Sequence, residues 1–134
     1  MSQSSKGFYY KYFKQDLSFE SYLFMSKAIY QPILKFRTSN HFLPVETGRW
    51  TNLPRTDRLC KLCNSPAVGD EFHYLFRCEA LHQQRQLYLT QYANFWPNLY
   101  TMKRLLTSKN AKDIKNLSKF IKCINENLQS VKYQ

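Results

Sequence analysis

The sequence predicts a mostly α-helical domain, small and pinned near its middle by a Cys-Cys-His-Cys cluster, with at most one short β-hairpin. Three observations carry this. Phe, Tyr and Trp number ten, ten and two against only three Gly, a balance that suits ring-packed helices better than a turn-rich β fold. Apolar side chains recur at helical spacing along most of the chain. Residues 60–78, CKLCNSPAVGDEFHYLFRC, gather three of the four cysteines together with a histidine.

Taken in order, residues 1–16 form an aromatic and basic arm that opens on the small polar run MSQSSKG, where fraying is expected. From Leu17 to Tyr30, Tyr22, Met25 and Ile29 fall on one helical side, widened by Leu23 and Tyr30. Pro32 is expected to end or kink that helix and to open another, ILKFRTSNHF. The stretch LPVETGRWTNLP, punctuated by Pro44, Gly48 and Pro54, reads as an irregular connection. Any hairpin falls within Arg58 to Phe72. After Cys78, residues Leu81, Arg85, Tyr88 and Tyr92 recur about one turn apart until Pro97. A short helix over Met102 to Thr107 and a longer one from about Asn110 to Gln129 complete the chain. The organisation is an arm (1–16), a central cysteine-bearing domain (17–96) and C-terminal basic amphipathic helices packed on it (97–134).

Twenty Lys and Arg against nine Asp and Glu leave a net charge of +11 over 134 residues. Such an excess attracts polyanions, nucleic acid first and an acidic membrane surface second. No apolar run approaches the ~18 residues needed to span a bilayer, and MSQSSKGFYYKYF lacks the apolar stretch of a signal peptide. An intracellular chain, nuclear or cytoplasmic rather than secreted, is therefore expected, with its cysteines reduced.

The cluster spacing is C-x2-C-x9-H-x4-C. Zinc favours four tetrahedral ligands drawn from thiolate and imidazole, and a Cys-x2-Cys turn lets two sulfurs face one ion. Cys60 and Cys63 supply the turn, a loop with Pro66 and Gly69 folds back, and His73 and Cys78 bracket a short helical turn. Three thiolates and one imidazole close the sphere of one structural Zn2+, with no open position for a catalytic water. Two plainer readings compete. A redox dithiol at Cys60 and Cys63 belongs in a strand–helix–strand setting, which is missing here, and it leaves His73 and Cys78 unexplained. Inert buried thiols, a common use of free cysteine, are the other competing reading, and zinc is favoured over both.

Other residues border this assignment. His82, four residues after Cys78, is the rival for the fourth ligand position. His41 suits a hydrogen-bonded helix end, and Cys123 reads as an ordinary thiol on the lysine side of the last helix. Asp70 and Glu71 are either the carboxylates that orient a metal-bound imidazole or solvated turn charges.

FESYL at 19–23, KFRTSNHFLPVETGRW at 35–50, and RLCKLCN followed by DEFHYLFRC at 58–78 resemble one family: the zinc-binding domain C-terminal to the polymerase in reverse transcriptases of non-LTR (LINE-type) retrotransposons. The match covers about residues 17–90, and the order of the motifs gives it specificity. Carried over by position, the resemblance implies Cys60, Cys63, His73 and Cys78 as zinc ligands. It also implies a knuckle that helps a polymerase hold template RNA or target DNA. No Tyr-x-Asp-Asp box and no carboxylate pair suited to two-metal chemistry accompany it. The domain is therefore expected to be non-enzymatic by itself, and a reverse transcriptase polymerase domain is a candidate partner.

The last helix adds an independent argument. At 100° per residue, Lys109, Lys112, Lys115, Lys119 and Lys122 fall within an arc of roughly 140°, opposite Ile114, Leu117, Ile121, Ile124 and Leu128. A lysine face is either solvation or a phosphate-binding surface. Only Asp113 is acidic between 109 and 122, which favours the second. Arg49, Arg55, Arg58 and Lys61 lead into the cluster with Trp50 among them, a combination suited to phosphate contact and base stacking if the ring is outside the core. No base-reading signature appears, so binding to RNA or DNA is expected to be directed at the backbone. A zinc module that docks on a protein partner is the alternative.

Overall fold

Pro32 neither ends nor restarts a helix. In a computed structural model that describes residues 25–90 and 97–132, it lies inside one continuous helix, α1 (Lys27–Arg37). The hydrogen bond that proline cannot donate would have gone to the carbonyl of Ala28, which belongs to an exposed residue. The arm, residues 17–24 of the first expected helix and residues 91–96 before Pro97 lie outside the described residues.

Helix α1 closes in a Schellman motif. Asn40 N–H bonds to Lys35 O at 2.8 Å and Ser39 takes a positive φ of 62°. Residues 44–50, expected as an irregular connection, instead form helix α2 (Pro44–Trp50) with proline in its first turn, where its missing N–H costs nothing. This helix ends the same way, with Leu53 N–H on Gly48 O at 2.9 Å and Asn52 at φ 61°. Gly48 is needed for contact rather than for φ. A Cβ there would lie 2.4 Å from Cγ of Arg58, whose side chain crosses the helix and donates to Val45 O and Leu53 O, each at 2.9 Å.

The cluster segment follows with a short 3-10 turn, Arg55–Asp57, and an isolated antiparallel bridge, Leu59 to Val68. That bridge is the whole of the expected hairpin, and no strand occurs among the described residues. Helix α3 (His82–Tyr88), helix α4 (Leu99–Leu106) and helix α5 (Ala111–Lys132) complete the mostly helical domain. Asn110 caps α5 by accepting from the N–H groups of Lys112 and Asp113, and Asp113 places its charge favourably in the first turn. Lys109 thus precedes the helix rather than belonging to it.

The core forms where α1 and α3 pack on α5. Ile114, Leu117, Ile121 and Ile124 are buried as the periodicity requires, joined by Phe120, which is fully buried. Ile33 and Phe36 of α1, Leu43 and Val45 around the start of α2, and Met102 and Leu105 of α4 close on them. Tyr74, Leu75, Cys78 and Leu81 belong to the same core, so the cysteine segment is part of the domain's interior. None of the described helices is long and apolar enough to cross a membrane.

Candidate metal centre

Local hydrogen bonds shape the cysteine turn. Cys60 N–H bonds to Ala67 O at 2.9 Å and Gly69 N–H to Arg58 O at 2.8 Å, which folds the loop back on itself. The N–H groups of Leu62 and Cys63 point at the Cys60 sulfur, at 3.3 and 3.5 Å. On the other side, Asp70 Oδ1 accepts from the N–H of His73 at 2.9 Å and starts the turn that carries it. His73–Arg77 is a π-turn closed by Cys78 N–H on His73 O at 2.8 Å. In an α-helix a five-residue offset would separate two side chains by about 140°. The widened turn, followed by Cys78 in an extended conformation, returns both to one side.

Four ligand atoms converge. One each from Cys60, Cys63, His73 and Cys78, they lie within 4.8 Å of one another, and all three cysteines are free of disulfides. The sulfurs of Cys60 and Cys78 are 3.8 Å apart, and the Cys63 sulfur is 3.4 Å from Nε2 of His73. Cys60, His73 and Cys78 are buried and Cys63 is half-buried. This set can hold a single metal ion. Nδ1 of His73, also buried, has no hydrogen-bond partner among the described residues.

The surroundings favour anionic sulfur at Cys60 and oppose it at Cys78. The hydrogen bond between the two sulfurs does most to hold Cys60 far below the ordinary range of a thiol, against the opposing effect of burial, and the same bond, together with burial, pushes the Cys78 thiol well up. His73, the Tyr74 hydroxyl and the Cys63 N–H also push Cys60 down. Tyr74 is fully buried, and burial first, then its bond to Cys60, raises its own pKa. A divalent cation between the sulfurs would take the place of the proton in that bond.

Arg85, read from the sequence only as a helix position, supports the far side. Its Nε donates to Leu75 O at 2.7 Å, and its Nη2 donates to Tyr74 O and Cys78 O at 3.1 and 3.0 Å. The guanidinium also lies over the Phe120 ring at 5.8 Å. Burial works against its charge, and the Cys78 sulfur favours it. A buried arginine with three carbonyl partners leaves no trace in local sequence, because its partners exist only once the π-turn has formed.

The bordering residues resolve as follows. His82 is exposed and outside the cluster, and it is His73 that converges with the three cysteines. His41 is buried after α1, where Nδ1 accepts from Leu43 N–H and Nε2 meets Glu71 Oε1 at 2.7 Å. Glu71 also accepts from Ser39. Asp70 holds Arg55 at 2.9 Å besides capping His73. Neither carboxylate orients the His73 ring, and neither is a solvated turn charge. Cys123 is half-buried in α5 and outside the cluster.

The basic residues divide into two sets. Arg49 pairs with Glu46 at 2.7 Å, Arg55 with Asp70, and Arg58 is spread across α2. These three brace the fold around the cluster. Lys61 is exposed on the cysteine turn, and Lys109, Lys112, Lys115, Lys119 and Lys122 are all exposed, with the apolar residues of α5 buried opposite. Trp50 is 54% exposed rather than in the core. A scan against protein-family models finds no match, and searches of curated proteins and of solved structures return none either.

Proposed function

We propose that this chain is a zinc-stabilised nucleic-acid-binding module, non-enzymatic by itself, of the kind that follows the polymerase in non-LTR retrotransposon reverse transcriptases. The convergence of Cys60, Cys63, His73 and Cys78 carries the reading. A zinc tetrahedron with Zn–S of about 2.3 Å and Zn–N of about 2.0–2.1 Å has edges of about 3.8 Å between sulfurs and about 3.5 Å between sulfur and nitrogen. The observed 3.8 and 3.4 Å match both. All four positions are filled by protein, which is the arrangement of a structural site rather than a hydrolytic one.

The polyanion partner rests on the lysine face. Its five lysines are exposed, while Glu46, Asp70 and Glu71 are turned inward and paired. The exposed acidic residues among those described are Asp57, Glu79 and Glu126. Lys61 and the α5 lysines are therefore the phosphate contacts of this reading, and Arg49, Arg55 and Arg58 support them from within the fold.

Titration of labelled duplex DNA at two salt concentrations tests the reading. If about five phosphates are neutralised, log K falls against log[salt] with a slope near −4.5, by about 0.9 per contact. Changing Lys112, Lys115, Lys119 and Lys122 to Gln flattens that slope and leaves the buried face of α5 intact. A zinc module that docks only on a protein, the competing reading, has no such slope.

A further inference from the structure

Phe42 and Trp50 are large rings that the fold leaves outside, 73% and 54% exposed. They meet edge to face, with centroids 5.7 Å apart and planes at 85°. Their backbone is well anchored. Phe42 is followed by fully buried Leu43. Trp50 is the last residue of α2, which is tied to the cysteine turn through Val45 N–H on Gly69 O at 3.1 Å. Leu53, in the loop that closes α2, is exposed as well. The domain thus presents two rings against each other at its surface, Phe42 just before α2 and Trp50 at its end.

The charge of the whole chain, +11, favours an anionic occupant. The carboxylate closest in sequence to Trp50, Glu46, is buried and neutralised by Arg49, and the exposed charges that follow it, Asp57 and Lys61, offset one another. In a perpendicular pair only one ring face is covered by its neighbour's edge, so a planar group can still stack. An unpaired nucleobase offers such a face beside a phosphate, whereas a duplex keeps its base faces in its own stack.

We propose that Phe42 and Trp50 form a stacking platform for the bases of single-stranded RNA or DNA. This rests on the nucleic-acid reading above and adds to it a preference for unpaired strands, located at the two ends of α2 rather than on the lysine face of α5.

The test compares the full chain with a Phe42→Ala/Trp50→Ala double variant and with Trp50→Leu, which keeps an apolar side chain but removes the ring. Bound metal and circular dichroism check each fold. The probes are labelled oligothymidine, an abasic strand with the same number of phosphates, and a duplex. Stacking predicts that the double variant loses roughly tenfold or more on oligothymidine. Trp50→Leu loses part of that, and affinity for the abasic strand and the duplex stays unchanged. Equal oligothymidine affinity in all three proteins, with lysine-dependent duplex binding intact, overturns the platform alone and gives the rings to a protein partner. No binding of any probe by the unmodified chain overturns both the platform and the reading beneath it.

Discussion

Arg85 donates from Nη2 to the carbonyl oxygen of Cys78 at 3.0 Å, so a ligand of the candidate metal centre is held from behind by a buried cation. Three thiolates around a divalent ion would carry one net negative charge, which the guanidinium is placed to offset.

Arg85→Met is therefore expected to destabilise the domain by about 3 kcal/mol or more, since it leaves the buried carbonyls of Tyr74, Leu75 and Cys78 without their donor. Arg85→Lys recovers only part of the loss, because an ammonium cannot reproduce the planar fork. Thermal unfolding measures the cost. The rate of metal transfer to a chelator rises in both variants, and that readout ties the residue to the cluster rather than to α3 alone.

Single substitutions separate the thiols and the histidines. Cys78→Ser removes most of the bound metal, and Cys123→Ser leaves it in place, because Cys123 lies outside the convergent set. His73→Ala loses metal where His82→Ala keeps it. The opposite result for the two histidines would reassign the fourth ligand.

Gly48→Ala gains helix propensity of about 1 kcal/mol, yet the new methyl group would sit 2.4 Å from Cγ of Arg58. Moving that side chain gives up its bonds to Val45 O and Leu53 O, each worth about 1.5–3 kcal/mol for a charged donor. The loss wins, and a net destabilisation of about 2–5 kcal/mol is expected. Denaturant midpoints of Gly48→Ala, Arg58→Ala and the double variant check it. The double variant should be less unstable than the sum of the two, because both changes remove the same contact.

The convergence of Cys60, Cys63, His73 and Cys78 was legible in the sequence because their spacing is short and is the spacing a tetrahedral metal site requires. The apolar stripe of α5 was legible for a similar reason, since a long helix keeps its period. Helix α2 was not. Pro44 and Gly48 read as loop residues, and the helix depends on Arg58 crossing it and on Val45 reaching Gly69, contacts made only in the folded chain. Pro32 lies inside a continuous helix rather than between two, and the residue four before it, whose carbonyl it cannot bond, is exposed. The arginines before the cluster looked available for phosphate, but Glu46 and Asp70 engage two of them, and Asp70 lies fifteen residues from Arg55.

Cys60, Cys63, His73 and Cys78 are expected to hold one zinc ion. Native mass spectrometry with elemental analysis of the chain, purified without chelators under reducing conditions, tests it most directly. One zinc per chain is predicted, retained in Cys123→Ser and lost with unfolding of the middle of the domain when a strong chelator is added. A metal-free chain that keeps its fold, or one with Cys60 and Cys63 joined as a disulfide, would contradict it.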